Sequence, residues 1–82
     1  MKPGEMERLA RVGRIDELEK AVDRLGNRII GLAASARAAL FSVGADPAEI
    51  DVRLARTHLE DLEKAKGEYE QARVELAELR SG

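Results

Sequence analysis

The sequence predicts an all-α fold, an antiparallel two-helix hairpin with a coiled-coil seam. Three observations carry that expectation: an apolar repeat of strict three-four spacing in the first half, the same repeat in the second half, and a helix stop followed by a helix start between them. An a/d repeat of this kind marks a helix that buries one narrow stripe against another helix.

Residues 1–13 come first and read as a basic arm, with Lys2, Arg8 and Arg11 ahead of Arg14. Leu9 and Val12 have nothing in the chain to cover them in the register derived below, and Gly13 lowers helix stability by roughly 1 kcal/mol relative to alanine. The arm is expected to be frayed or ordered by a partner. The first helix is expected over about residues 14–43, where Ile15, Leu18, Val22, Leu25, Ile29, Leu32, Ala36 and Ala39 hold one heptad phase.

Gly44-Ala45-Asp46-Pro47-Ala48-Glu49 is the stop and start. Gly44 suits the left-handed position after a helix, Asp46 can cap the next one, Pro47 fits a first helical position where no N–H is needed, and Glu49 stands where a capping-box carboxylate belongs. The turn is placed at 44–47 and the second helix at about 48–80, its stripe being Ala55, His58, Leu62, Ala65, Tyr69, Ala72, Leu76 and Leu79.

So short a connection forces the helices to run antiparallel. Facing a and d residues must then have numbers that add to a constant, and one choice satisfies the whole seam. It pairs Ala39 with Ala55, Ala36 with His58, Leu32 with Leu62, Ile29 with Ala65, Leu25 with Tyr69, Val22 with Ala72, Leu18 with Leu76 and Ile15 with Leu79. Several layers set a large residue against alanine, which favours close packing without voids. The register also brings Arg28 near Asp61 and Glu68, and Glu19 near Arg73. Within the helices Glu7/Arg11, Asp16/Lys20, Glu49/Arg53 and Glu60/Lys64 form favourable i,i+4 pairs.

The seam leaves a second apolar face unexplained. Ile30, Ala33, Leu40 and Phe41 of the first helix and Val52 and Leu59 of the second flank the seam near the turn, whereas the same flank at the open end carries Glu19, Lys66 and Arg73. Large side chains on a second face of a two-helix unit point to a further helix layer. These six residues are the expected interface, for a second copy completing a four-helix bundle or for another helical protein. The competing expectation is a small end-cap cluster of Leu40, Phe41 and Val52 folded over the turn.

Composition narrows the function classes. Eighty-two residues make at most one domain, at a size where one core is only marginally sufficient. The absence of cysteine removes disulfides and thiolate metal sites, and a single histidine leaves no second imidazole to share a metal. A net charge of −2 argues against a nucleic-acid surface. The most apolar stretch, residues 29–45, is interrupted by Arg37 and falls short of the roughly 20 residues that span a bilayer. The basic start, with no hydrophobic stretch after it, does not read as a secretory signal peptide. The expectation is a soluble, cytoplasmic protein, with secretion that needs no cleavable signal as an alternative.

Chemistry-bearing residues are sparse. His58 lies in the seam with Arg37, Arg53 and Arg56 near it, so it reads either as a pH-sensitive interface residue or as a seam residue whose ring reaches solvent. The carboxylates Glu60, Asp61, Glu63, Glu68 and Glu70 fall on polar helix faces with no cleft to raise a pKa. Gly26 and Gly31 have the spacing of phosphate-loop glycines, but Leu32-Ala33 follow where Lys-Ser/Thr would be required. No catalytic, cofactor-binding or metal-binding residue is assigned.

Leu18 to Leu40, with Val22-Asp23, Ile29-Ile30, Leu32 and Arg37, faintly resembles the first helix of the small all-helical chorismate mutases. The family's first-helix catalytic arginine falls at Glu19, a charge reversal, and the second helix lacks the family's active-site residues, so the activity is not carried over. In outline the hairpin is similar to type III secretion needle subunits, their small co-chaperones and the dimeric RNA-binding hairpin, a likeness of architecture without a shared motif. The function expected is a non-enzymatic helical-hairpin module for protein–protein interaction and self-association, a homodimer in the first instance. The alternatives are a small adaptor or chaperone subunit of a secretion or phage-type assembly, using the same face for a different protein, and an enzyme with a site between subunits lined by His58 and its arginines. No cofactor, small-molecule substrate, nucleic acid or membrane is implied.

Overall fold

A computed structural model describes residues 2–41 and 46–81. It contains two long helices, α1 (Pro3–Leu40) and α2 (Val52–Ser81), joined through a 3-10 turn at Pro47–Glu49. The helices pack on each other as an antiparallel all-α hairpin, and no strand occurs among the described residues.

Every one of the sixteen seam residues is buried or half-buried, while outside the seam only Ala21, Gly26 and Glu75 among the described residues are as much as half-covered. The register follows the same constant. Leu18, Ala72 and Leu76 form a buried cluster with Ile15, Val22 and Leu79 packed against it, uniting three facing pairs of the expected set. Leu25 and Tyr69 face each other closely enough that a Cβ on Gly26 would sit 3.6 Å from the Tyr69 ring, an ordinary contact.

The helix ends differ from the sequence reading. α1 does not wait for residue 14: helix runs back through Gly13 to Pro3, which occupies the first turn, and the Lys2 carbonyl accepts from the Glu5 and Met6 N–H groups at 3.0 and 3.2 Å. At its other end α1 stops at Leu40 rather than 43, with Phe41 extended and its N–H donating to the Arg37 carbonyl at 3.0 Å. The expected role of Gly44 falls outside the described residues.

The start of α2 moves as well, from 48 to Val52. Asp46 does cap, its carboxylate accepting from the Ala48 N–H at 3.0 Å, but it caps only the single 3-10 turn. Ile50 is then extended, and the Asp51 N–H donates across the hairpin to the Ala39 carbonyl at 3.0 Å. That bond satisfies an acceptor orphaned at the end of α1 and takes from Asp51 the N–H that a helix running on from Pro47 would need. α2 therefore starts with a fresh cap, the Asp51 carboxylate accepting from the Leu54 N–H at 2.9 Å. Glu49 and Arg53 consequently belong to different elements and are not an i,i+4 pair of one helix.

Elongation is the physical consequence of having one seam. The hairpin measures 67 × 17 × 15 Å with a radius of gyration of 19.1 Å, against about 12 Å for a compact chain of this length. Its accessible surface is 6554 Å², where a compact monomer of this mass exposes about 4,900 Å². Roughly 1,700 Å² more surface stays in water than a self-sufficient domain of this size leaves there.

Candidate interaction surface

The heptad phase that buries the seam sets what surrounds it. Residues at e positions of both helices line one flank of an antiparallel pair, and residues at g positions line the other. At the open end both flanks are closed by charge. On one, Arg14 Nε and Nη2 donate to Glu75 Oε1 and Oε2 at 3.0 and 2.9 Å, a two-pronged bond, while Nη1 reaches Glu17 at 3.2 Å. These carboxylates, Glu75 foremost, raise the Arg14 pKa above its ordinary value, so the guanidinium stays charged at every physiological pH. On the other flank Arg80 Nη2 donates to Glu19 at 2.7 Å.

Glu19 therefore pairs with Arg80 and not with Arg73, which instead stacks over the Tyr69 ring at 5.6 Å. Arg73 and Arg80 both occupy e positions one heptad apart, and the longer reach along the seam gives Glu19 a direct bond, while Arg73 has an aromatic face beside it. Arg28, Asp61, Lys64 and Glu68 share one shallow polar concavity, as the register requires. Asp16 and Lys20 pair at 3.0 Å.

Towards the turn the charges on the e flank give way to apolar groups. Ile30 and Phe41 are 70% and 69% exposed, Val52 is 57% and Leu59 49%, and Leu40 and Ala33 are exposed beside them. All six expected interface residues thus lie at the surface, Ala33, Leu40, Val52 and Leu59 at e positions along the flank and Ile30 and Phe41 on the adjoining outward face of α1. Leu40, Phe41 and Val52 do not bury one another. Arg37 lies over the Phe41 ring at 5.7 Å, and the two border a shallow depression floored by Ala33, Ala34 and Ala38.

Exposed apolar residues that the sequence reading did not assign to the surface are Ile50 and Leu54, beside the restarted α2, Val74 on the outer face of α2 towards the open end, and Met6, which joins Leu9 and Val12 on the first turns of α1. The signal for Met6 was present, since it continues the Leu9 and Val12 spacing. For Ile50 there was none without knowing that the chain straightens there.

His58 is half-buried in the seam. No buried side-chain nitrogen or oxygen among the described residues lacks a hydrogen-bond partner, so its ring is not sealed away as an orphaned polar group. Among the described residues no cluster of three or more His, Asp and Glu side chains could hold a metal ion, and no helix is long and apolar enough to cross a membrane. The concavities on the surface are shallow and each is lined largely along the helices' outer faces or flanks, geometry that suits side-chain docking better than enclosure of a small molecule. Compared with protein-family models, curated proteins and solved structures, the chain matches none.

Proposed function

We propose that this protein is a non-enzymatic helical-hairpin interaction module that associates with itself, forming a homodimeric four-helix bundle through the turn-proximal apolar flank. The observation that carries the reading is the concentration of exposed Ile30, Leu40, Phe41, Val52 and Leu59 on one flank of a hairpin whose own seam is already complete. A soluble monomer gains nothing from such a patch, whereas a second helix layer would remove it from water at roughly 25 cal/mol per Å². The surplus accessible area of the isolated hairpin supports the same reading, since it is of the size that a helical partner layer covers.

The test is the double variant Leu40→Glu with Leu59→Glu. Neither side chain belongs to the seam, so the variant should keep its helices and run as a monomer by light scattering. Unchanged mass together with unchanged helicity would sink the proposal. If the parent protein is itself a monomer, the same flank is left for a different protein, which is the adaptor reading.

A further inference from the structure

The dimer proposed above leaves its orientation open, and two features of the hairpin decide it. The first is area. A whole flank of the hairpin, 67 Å long and 15 Å wide, offers a footprint of about 1,000 Å², and the turn-proximal half about 500 Å². Stable interfaces cover about 800 Å² on each partner, so the turn-proximal patch alone falls short and the full length does not.

The second feature is where the other apolar residues lie. Met6, Leu9 and Val12 are exposed, Leu9 by 58%, on the part of α1 that extends past Ile15 and its partner Leu79. They sit whole heptads away from the patch near the turn: Leu9 shares the phase of Ile30, Val12 that of Ala33 and Leu40, and Met6 that of Phe41. One face of α1 thus has two apolar ends separated by the charged stretch of Asp16, Glu19, Lys20 and Asp23.

We infer that two copies stack antiparallel along this face, the apolar first turns of each α1 seating on the turn-proximal patch of the other. This inference rests on the self-association reading and adds its geometry. Charge selects the antiparallel over the parallel stack. The first turns carry Lys2, Arg8 and Arg11 against Glu5 and Glu7, while the segment 46–51 carries Asp46, Glu49 and Asp51 and no base. Antiparallel stacking sets these unlike ends together, and parallel stacking sets each against its own kind. The Arg37 of the patch, held over Phe41, meets Glu5, which shares the phase of Val12, on the incoming helix in the same arrangement. Shape agrees, because the depression floored by Ala33, Ala34 and Ala38 and bordered by Arg37 and Phe41 offers a shallow seat for a side chain such as Leu9 or Met6.

The chain has no cysteine, so a single spin label can be placed by Glu7→Cys, a position off the proposed face. Pulsed dipolar spectroscopy on the full chain then reads the label-to-label distance. Antiparallel stacking puts the two labels about 40–50 Å apart at 1.5 Å rise per residue, and parallel stacking puts them within about 20 Å. The long distance is the expected result. A short distance overturns the inference while leaving self-association standing, and no intermolecular distance overturns both. As a second arm, Leu9→Glu with Val12→Glu touches no seam residue and should weaken dimerisation at least about tenfold with the hairpin's helicity kept. An unchanged dimerisation constant contradicts the arrangement.

Discussion

Truncating Leu59 and Leu76 separately to alanine asks the same chemical question on two faces of one helix. Each change deletes three carbons, worth about 2.4 kcal/mol if all leave water on folding, at about 0.8 kcal/mol per methylene. Leu76 is 7% exposed beside Leu18 and Ala72, so Leu76→Ala should cost nearly all of that, about 2.2 kcal/mol. The seam is only one layer of side chains between two helices, which lets neighbours relax into the gap and keeps the cost near the bottom of the range for buried leucines. Leu59 is 49% exposed in the single hairpin, and there Leu59→Ala should cost about half, 1.2 kcal/mol. In a dimer the second copy covers the remainder, and the cost should climb to about 2.4 kcal/mol per chain. Urea unfolding followed by circular dichroism, at micromolar and at near-millimolar protein, separates the cases, each variant being compared with the parent at the same concentration. The Leu76 cost should be the same at both concentrations and the Leu59 cost should rise. A Leu59 cost that does not change with concentration would refute the claim that a second copy covers this flank.

Other expectations follow from single contacts. Arg14→Glu should lower stability, an effect recovered in part by adding Glu75→Arg and diminished in high salt, because the pair is exposed; a double-mutant cycle with no coupling would show that the two-pronged bond contributes nothing. Asp51→Ala should cost about 1 kcal/mol by removing the cap of α2, and Asp46→Ala distinctly less, since its bond holds only the 3-10 turn; thermal melts that reverse this order would place the start of α2 at Asp46. Gly67 lies mid-helix with nothing within 4 Å of where a Cβ would stand, so Gly67→Ala should stabilise by about 0.8–1 kcal/mol and raise Tm by about 4–8 °C. A fall in Tm would mean that this outward face is covered in solution.

The seam was legible in the sequence because heptad phase and antiparallel register are arithmetic on residue numbers, and Leu18, Val22 and Ile15 meet Leu76, Ala72 and Leu79 as that arithmetic requires. The exposed flank was legible for the same reason, since Ile30, Leu40, Phe41, Val52 and Leu59 fall outside the a/d positions. The turn was not. Asp46-Pro47 and Asp51 both satisfy the local rules for starting a helix, and the choice between them depends on the Ala39 carbonyl, an acceptor far away in sequence that captures the Asp51 N–H. Charge pairing was legible only in part: the register brings Glu19 within range of both Arg73 and Arg80, and local competition from the Tyr69 ring is invisible in heptad spacing. The start of α1 escaped because Gly13 weakens a helix without ending it, whereas Pro3 fits a first turn without losing a needed hydrogen bond.

The most direct measurement is the solution mass of the unmodified chain by light scattering across a wide concentration range, with helicity followed on the same samples. The expected result is a dimer that gives way on dilution to a still-helical monomer, as the flank of Leu40, Phe41 and Leu59 returns to water. A fully helical monomer at every concentration would contradict self-association and leave that flank for a different protein.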